Sequence, residues 1–243
     1  SSVITNENGW VKRGYSSNYC RPVFAVMDPE LTMTLPPYQT ACGCVDILMH
    51  TMERYFNHSG SMEITDGIAE ALMQTVIRNA LIVMQHPNDY NARAEIMWAG
   101  SLSHNGLTDC GCDHGDWATH KMEHELGGLF DVAHGAGLAA IWGSWARYVC
   151  DADYARFARF ATKVLNVAPQ ATDKETALAG IDAMEQFYHS IQMPTSLREL
   201  GISPTEEQLQ EMARKCILAT NGPAGKVKPL HQNDVENIYR AAL

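Results

Sequence analysis

The chain of 243 residues is 46% hydrophobic and 19% charged, a composition typical of a globular protein and not of a disordered one. Its net charge of −10 argues against nucleic acid or an anionic membrane surface as a partner, since both attract basic proteins. The longest apolar window, residues 136–149, is too short and too polar to cross a bilayer. The first ten residues lack the segments of a signal peptide and the seven cysteines are odd in number, so the sequence predicts a cytoplasmic protein with reduced thiols.

Two pairs of cysteines have the spacing C-x-C, Cys42 with Cys44 and Cys110 with Cys112. This spacing differs from the C-x2-C of zinc ribbons, which occurs nowhere in the chain. We therefore expect structural or incidental thiols at these positions. The triplet Asn57-His58-Ser59 matches the glycosylation acceptor pattern, which has no consequence for a cytoplasmic chain.

The first 30 residues differ from everything after them. Residues 2–5 and 12–14 are predicted to be extended, with the turn sequence Asn-Glu-Asn-Gly between them. Residues 21–28 form a further β-branched and aromatic run, bounded by Pro22 and Pro29. These strands have no visible partner sheet, and isolated strands are not stable alone. The segment 1–33 is therefore predicted to be the end of a larger sheet.

From Pro36 onward the spacing of apolar residues is helical, and we expect eight or nine helices in an all-α region covering residues 34–243. The glycine pair Gly127-Gly128 is predicted to end a histidine-rich helix, and His134 to begin a long apolar one. Predicted helices cover residues 36–56, 65–85 (capped by Thr65 or Asp66), 89–102, 134–149, 151 or 153 to 165, and 234–242. Two further helices begin at predicted capping boxes, Thr172 with Glu175 and Ser203 with Glu206.

Three histidines lie within 15 residues of one another in the histidine-rich stretch, His120, His124 and His134. His120 and His124 are four residues apart and project from one face of a helix. Neutral imidazole is the commonest protein ligand for metals, so this stretch could hold a divalent ion. With ten histidines in the chain, a chance cluster is an equal alternative at this point.

The first predicted helix carries a carboxylate and an imidazole at the same spacing, Asp46 and His50. A solvated pair on the helix exterior is one interpretation. The apolar neighbours of both residues favour a buried helix instead. One aspartate with three histidines would complete a ligand set without thiolate, which suits Fe²⁺, Zn²⁺, Mn²⁺ or Ni²⁺.

Two segments together, TLPPYQTACGCVDILMHTMERY and ATHKMEHELGGLFDVAHGAGLA, resemble the iron-containing (group III) alcohol dehydrogenases. The similar branch is that of the butanol dehydrogenases and NADPH-dependent aldehyde reductases. The segment WAGSLSHNGL and the closing NGP…PL pattern extend the resemblance over essentially the whole chain. It implies an all-α, multi-helix, dehydroquinate synthase-like metal-binding domain at residues 34–243. Residues 1–33 would then be the strand remnant of an upstream dinucleotide-binding domain, since the chain has no glycine-rich phosphate loop.

By position, the resemblance makes Asp46, His50, His120 and His134 the metal ligands. It assigns His124 to a place beside the metal and near the nicotinamide, where it would relay a proton or orient the cofactor. The implied cofactors are a divalent metal, Fe²⁺ first and Zn²⁺ second, and NAD(P)H, which the upstream domain would mainly bind. The implied reaction transfers a hydride between NAD(P)H and an aldehyde or primary alcohol, in a homodimer. Trp117 and Asn105 are weaker candidates for the wall of the substrate pocket, and core packing is an equal alternative for Trp117.

Three other interpretations compete with this one. Residues 120–124 match the H-x-x-E-H pattern of inverted zinc peptidases, with Glu123 as the general base, but this leaves Asp46, His50 and His134 unused. A non-catalytic helical oligomerisation module is the second. The third is a glycerol dehydrogenase or dehydroquinate synthase, which the histidine spacings disfavour. Convergence of Asp46, His50 and His120 would separate the dehydrogenase from the peptidase.

Overall fold

A computed structural model describes residues 2–57, 60–112 and 114–243. The glycosylation pattern at Asn57-His58-Ser59 lies mostly outside these residues. The described chain has two short strands followed by nine α-helices, which confirms the predicted all-α class. The elements are β1 (Ser2–Asn6), β2 (Val11–Tyr15), α1 (Pro37–Tyr55), α2 (Glu63–Gln85), α3 (Tyr90–His104), α4 (Ala118–Phe130), α5 (His134–Val149), α6 (Tyr154–Val164), α7 (Asp173–Ser190), α8 (Glu206–Thr220) and α9 (Gln232–Ala241).

The two strands form an antiparallel hairpin, in register from Ser2 opposite Tyr15 to Asn6 opposite Val11. The predicted extended segments are confirmed, and within the described residues they pair with each other. The predicted strand at residues 21–28 is wrong. This segment has no ladder, and its side chains Val23 and Phe24 are exposed. Its β-branched composition favours a strand, yet it pairs with no other strand among the described residues, and an unpaired strand is not stable.

Helix α1 runs through the centre of the helical region. Its apolar residues Ala41, Val45, Leu48 and Met52 are each at most 1% exposed. Helices α2, α3 and α5 pack around it. Such a helix, apolar around most of its circumference, belongs in a core, and it carries Asp46 and His50 with it.

Helix α5 lies unusually close to α1. A Cβ atom on Gly135 would stand 2.1 Å from the carbonyl oxygen of Cys42, so only glycine permits this approach. The contact brings the first turn of α5, with His134, against the middle of α1. The backbone thereby sets the distance between the two helices that carry the predicted ligands Asp46, His50 and His134.

Helix α2 is long and apolar enough to span a membrane by length and composition alone. It packs against α1, α3 and α6, and it buries Asp66 and Glu70 in ion pairs with Arg156 and Arg159. These contacts make it a helix of the folded core. The prediction that Thr65 or Asp66 caps this helix is wrong, because the helix begins at Glu63 and Asp66 instead holds Arg156.

Two further boundaries differ from prediction. Gly127 and Gly128 do not end α4, which continues to Phe130. Their missing side chains serve packing instead, since a Cβ on Gly128 would meet the carbonyl oxygen of Trp10 at 3.0 Å, where the hairpin crosses α4. The box at Ser203 and Glu206 is also wrong, because Thr205 caps α8 with Gln208. The capping box of Thr172 with Glu175 at the start of α7 is confirmed.

Candidate metal centre

Four polar side chains from three helices meet at one point. Asp46 and His50 come from α1, His120 from α4, and His134 is the first residue of α5. The Oδ1 atom of Asp46 lies 3.7 Å from Nε2 of His50, 3.6 Å from Nε2 of His120 and 3.5 Å from Nε2 of His134. The sequence-predicted ligands therefore converge on the carboxylate of Asp46.

Two of these atoms, Oδ1 of Asp46 and Nε2 of His120, are buried and make no hydrogen bond. Buried polar atoms are nearly always paired, so such orphans need an explanation. Ligand atoms of Asp46, His120 and His134 all lie within 4.8 Å of one another. Two ligands on opposite sides of one ion are about 4.2 Å apart at about 2.1 Å each. The donor atoms thus fit a divalent cation.

A buried glutamate on α1, Glu53, fixes the orientation of His120. Its Oε1 atom accepts hydrogen bonds from Nδ1 and the backbone nitrogen of His120, at 2.8 and 3.1 Å. A carboxylate accepts, so Nδ1 carries a proton, which leaves Nε2, on the side of Asp46, as the atom that can bind a metal in place of a proton. The Glu53 side chain is only 1% exposed, and such carboxylate–histidine pairs are typical of metal ligands.

A second buried glutamate, Glu123, does the same for His134. Its Oε2 atom accepts a short hydrogen bond from Nδ1 of His134. Lys12 of the hairpin contacts both oxygens of Glu123 at 3.3 Å, which compensates part of the buried charge. Sequence reasoning missed Glu53 and assigned Glu123 only as a peptidase base. No motif signals either anchor, because the partners come together through the fold.

The electrostatics of the cluster favour positive charge beside Asp46. Burial and neighbouring imidazoles lower the pKa of His50 to about 2 and that of His124 to about 3, so both rings are neutral. Burial also acts to lower the pKa of His120, but the carboxylates of Asp46 and Glu53 outweigh it and raise that pKa to about 9. A site that binds a proton this tightly between two carboxylates would exchange it for a metal cation.

The loop before α4 positions Trp117 over the cluster. Trp117 has φ +63°, in the left-handed region that bulky residues rarely adopt, and its backbone nitrogen donates to Glu53 at 2.6 Å. Asp116 holds this loop, because its carboxylate accepts from the backbone nitrogens of Ala118, Lys226 and Val227. Strained backbone of this kind is concentrated at functional sites.

A cavity of about 560 Å³ opens onto the cluster from the side of the hairpin. Trp117 lines it, as predicted, together with Arg54, Lys121 and His124. Asn105 does not line it. That side chain accepts a hydrogen bond from the backbone of Leu107 and so closes the turn after α3. The preceding residue, His104, lines the cavity instead.

His104 was missed by the sequence reasoning, although it lies inside the segment WAGSLSHNGL. Its ring lies against that of His50, with centroids 3.8 Å apart and ring planes tilted by 41°. Its Nδ1 atom lies 3.0 Å from the carbonyl oxygen of Gly100 and 2.7 Å from the hydroxyl of Ser103. Asp46, His50 and His104 form a second group of ligand atoms within 4.8 Å of one another.

His124 lies next to the predicted ligands. Its ring is 5.8 Å from that of His134, and its ligand atom groups with those of Glu123 and His134. Glu123, the supposed peptidase base, is completely buried and already bound to His134 and Lys12. The geometry therefore disfavours a zinc peptidase.

The cysteines take no part in these groups. Cys42 and Cys44 are buried in α1, where burial raises the pKa of the Cys44 thiol to about 12. No disulfide occurs among the described residues, and none of their candidate metal groups includes a cysteine. This agrees with the prediction of structural or incidental thiols.

Comparisons with known proteins point to one family. A model of the C-terminal part of the Fe-containing alcohol dehydrogenase family matches residues 40–243. NADH-dependent butanol dehydrogenase A of Clostridium acetobutylicum is 36% identical over 240 residues, which cover 98% of this chain and 61% of that protein. The NADPH-dependent aldehyde reductase YqhD of Escherichia coli is 34% identical over 201 residues, or 83% of this chain and 51% of YqhD.

Solved structures agree with the sequence relatives. The crystal structure of NADH-dependent butanol dehydrogenase A from Thermotoga maritima matches with a TM-score of 0.92 at 34% identity, over 99% of this chain and 61% of that one. That of Escherichia coli YqhD gives a TM-score of 0.93 at 30% identity, over 100% and 61%. The chain thus spans about three fifths of the length of these relatives. The chain belongs to the iron-containing alcohol dehydrogenase family, and residues 40–243 correspond to the family's C-terminal part.

Proposed function

We propose that this chain is the metal-binding part of an NAD(P)H-dependent alcohol dehydrogenase or aldehyde reductase. Asp46, His50, His120 and His134 would hold one divalent ion, Fe²⁺ in the first place and Zn²⁺ as the alternative. The observation that supports this most is the orphaned pair of buried atoms, Oδ1 of Asp46 and Nε2 of His120, at the point where the other two imidazoles converge.

The residues of the site have separable tasks. When bound, the ion supplies Lewis acidity toward an alcohol or aldehyde oxygen, and NAD(P)H supplies or accepts the hydride. Glu53 and Glu123 keep the proton on Nδ1 of His120 and His134, so that each Nε2 atom stays available as a ligand. The indole of Trp117 excludes water from the inner end of the cavity, where hydrogen bonds then gain strength.

His124 is proposed as the group that moves a proton or orients the nicotinamide. It lines the same cavity as His50 and His104, and its depressed pKa keeps it neutral, so it can both donate and accept a hydrogen bond. Small aldehydes and primary alcohols suit a cavity of about 560 Å³. NAD(P)H would be bound mainly by a second domain, of the kind that the family resemblance implies.

The same resemblance implies a cytoplasmic homodimer. Apolar side chains on the outer side of α2 and α3 support an assembly, since Ile64 is 81% and Trp98 is 54% exposed. Light scattering coupled to size-exclusion chromatography would measure the mass in solution. A monomer at all accessible concentrations would contradict the dimer without affecting the metal site.

Metal analysis of the purified chain tests the proposal directly. The chain is stripped with a chelator, titrated anaerobically with Fe²⁺ and separately with Zn²⁺, and compared with D46A, H120A and the control H86A. His86 is exposed and takes part in none of the candidate groups formed by the described residues. One ion per wild-type chain, lost in the first two variants and retained in H86A, is the expected result. No stoichiometric binding in the wild type would contradict the proposal.

Turnover tests the second part of the proposal. The chain alone is expected to oxidise no NAD(P)H, because we propose that a second domain supplies most of the nucleotide site. Fusion to the N-terminal portion of a butanol dehydrogenase of the family should give turnover with butanal that depends on Asp46. A well-folded, metal-loaded fusion without activity would favour a non-catalytic helical module.

A further inference from the structure

The proposed ligands fall into two overlapping groups that share Asp46. One group joins Asp46 with His120 and His134, and the other joins it with His50 and His104. In each group, the ligand atoms lie within 4.8 Å of one another. The last residue of α3 therefore brings a fifth possible donor to the cluster, from a helix that carries none of the four ligands implied by the family resemblance.

The hydrogen bonds of His104 leave one nitrogen available. The carbonyl oxygen of Gly100 only accepts, so the Nδ1 atom of His104, 3.0 Å away, carries the proton and donates it. The Nε2 atom then keeps a lone pair. The ring lies against that of His50 and lines the cavity, and one of its nitrogens lies within 4.8 Å of ligand atoms of Asp46 and His50. Because Nδ1 is engaged by Gly100, Nε2 is the nitrogen that can bind an ion.

We propose that His104 is an additional ligand of the metal, giving a site of one carboxylate and four imidazoles. This inference rests on the proposed metal site at Asp46. Five protein donors exceed the four that Zn²⁺ takes in most protein sites. Ions that accept five or six ligands, such as Fe²⁺, Co²⁺ and Ni²⁺, gain from the added imidazole and still leave a position for a substrate oxygen.

The variant H104N separates ligation from a structural role. The amide nitrogen of asparagine can replace Nδ1 and keep the hydrogen bond to Gly100, but nothing replaces Nε2. The probe is Co²⁺, titrated into the metal-free chain and followed by its visible absorption, with Zn²⁺ competition as a second readout. H104A, H86N and D46A are measured in parallel, and circular dichroism checks that each variant is folded.

We expect H104N and H104A to lose affinity for Co²⁺ by about 10-fold or more and to lose less affinity for Zn²⁺. Their Co²⁺ bands should become stronger and move to longer wavelength, since four-coordinate Co²⁺ absorbs more intensely than five- or six-coordinate Co²⁺. H86N should match the wild type. An H104N variant with the spectrum and affinity of the wild type would overturn the inference, and so would a loss seen in H104A alone. Failure of the wild type to bind Co²⁺ would instead count against the metal site as a whole.

Discussion

The two halves of the histidine cluster are built differently. In the half formed by α4 and α5, each imidazole is held by a buried carboxylate, His120 by Glu53 and His134 by Glu123. In the half formed by α1 and α3, the Nδ1 atom of His50 is buried without a hydrogen bond. That ring is positioned by contacts with the rings of His104 and Trp117, whose centroids lie 3.8 and 5.4 Å away.

The two halves therefore differ in how firmly each imidazole is oriented before an ion binds. A carboxylate at Nδ1 fixes both the tautomer and the ring plane, so His120 and His134 are set for a ligand before any ion arrives. Ring contacts constrain the plane of His50 but leave its tautomer undetermined. The carboxylate-anchored half should therefore determine affinity, while the half formed by α1 and α3 adapts to the ion.

Removing the residue that both halves share should have the largest effect. D46A takes away the atom that lies within 3.7 Å of Nε2 in each of the three proposed histidine ligands. We expect complete loss of stoichiometric metal binding, measured by equilibrium dialysis and elemental analysis. An Asp46 variant that still binds one ion tightly would show that the histidines act without the carboxylate.

The second largest effect is expected at Asp116, in the loop that leads into α4, and it should appear in the pH dependence of the free energy of unfolding. Burial, with the charge of Glu53 as the second cause, raises the pKa of Asp116 to about 6, against the bonds from backbone nitrogens that lower it. Because the pKa of Asp116 is higher in the folded state than in the unfolded state, the contribution of this residue to the free energy of unfolding is complete below about pH 4 and is lost as the pH rises through 6. The full loss amounts to about 3 kcal/mol.

Urea unfolding of the metal-free chain and of D116N at pH 4 to 7 checks this prediction. The asparagine does not titrate, so the stability advantage of the wild type over D116N should shrink as the pH rises. An advantage that grows with pH would mean that the three backbone donors hold the carboxylate ionised and that its pKa lies below the usual range.

Neutralising either anchor should have a smaller effect, confined to the anchored half. E53Q and E123Q keep the shape of the side chain but weaken the hold on Nδ1, and we expect a loss of metal affinity of about 10- to 100-fold in each. Isothermal titration with Zn²⁺ measures it. The matched control is S103A, which removes the hydroxyl beside His104 in the half formed by α1 and α3 and should change affinity by less than the anchor variants. An equal loss of Zn²⁺ affinity in S103A and in the anchor variants would show that the carboxylates do not determine affinity more than the contacts around His104 do.

The smallest effect is expected at the hairpin. Lys12 pairs with Glu123, which holds His134, whereas the neighbouring Arg13 pairs with Glu125, which touches no histidine of the cluster. Both pairs are partly buried, and each should contribute about 1 kcal/mol or less to stability. K12M should also weaken metal binding slightly, while R13M should not. Calorimetry on both variants makes this comparison, and identical metal affinities would show that the hairpin is not coupled to the site.

Local features of the site could be predicted from the sequence. The spacing of Asp46 and His50 on a helix, the start of α5 at His134 and the capping box of α7 each depend on residues a few positions apart. Their periodicity and capping chemistry are visible in the chain itself. The family resemblance added the link between α1 and α4, which no spacing encodes.

The anchors and the added histidine could not be predicted in the same way. Glu53 and His120 are 67 residues apart, and their bond depends on how α4 docks on α1. His104 reaches the cluster only because α3 packs beside α1. The pair Gly127-Gly128 predicts a helix end from local sequence alone. Its actual role, close packing against the hairpin, depends on residues more than 100 positions away.

The close contact of Gly135 with α1 makes the spacing of the metal site a property of two backbones. A methyl group at this position would have to move about 1 Å or more away from the Cys42 carbonyl, and α5 would carry His134 with it. The contact between the two helices therefore fixes the distance between positions 46 and 134, even when the side chains at these positions are exchanged. A site for another metal could be engineered by changing the donor residues one at a time while the backbone of the two helices stays in place.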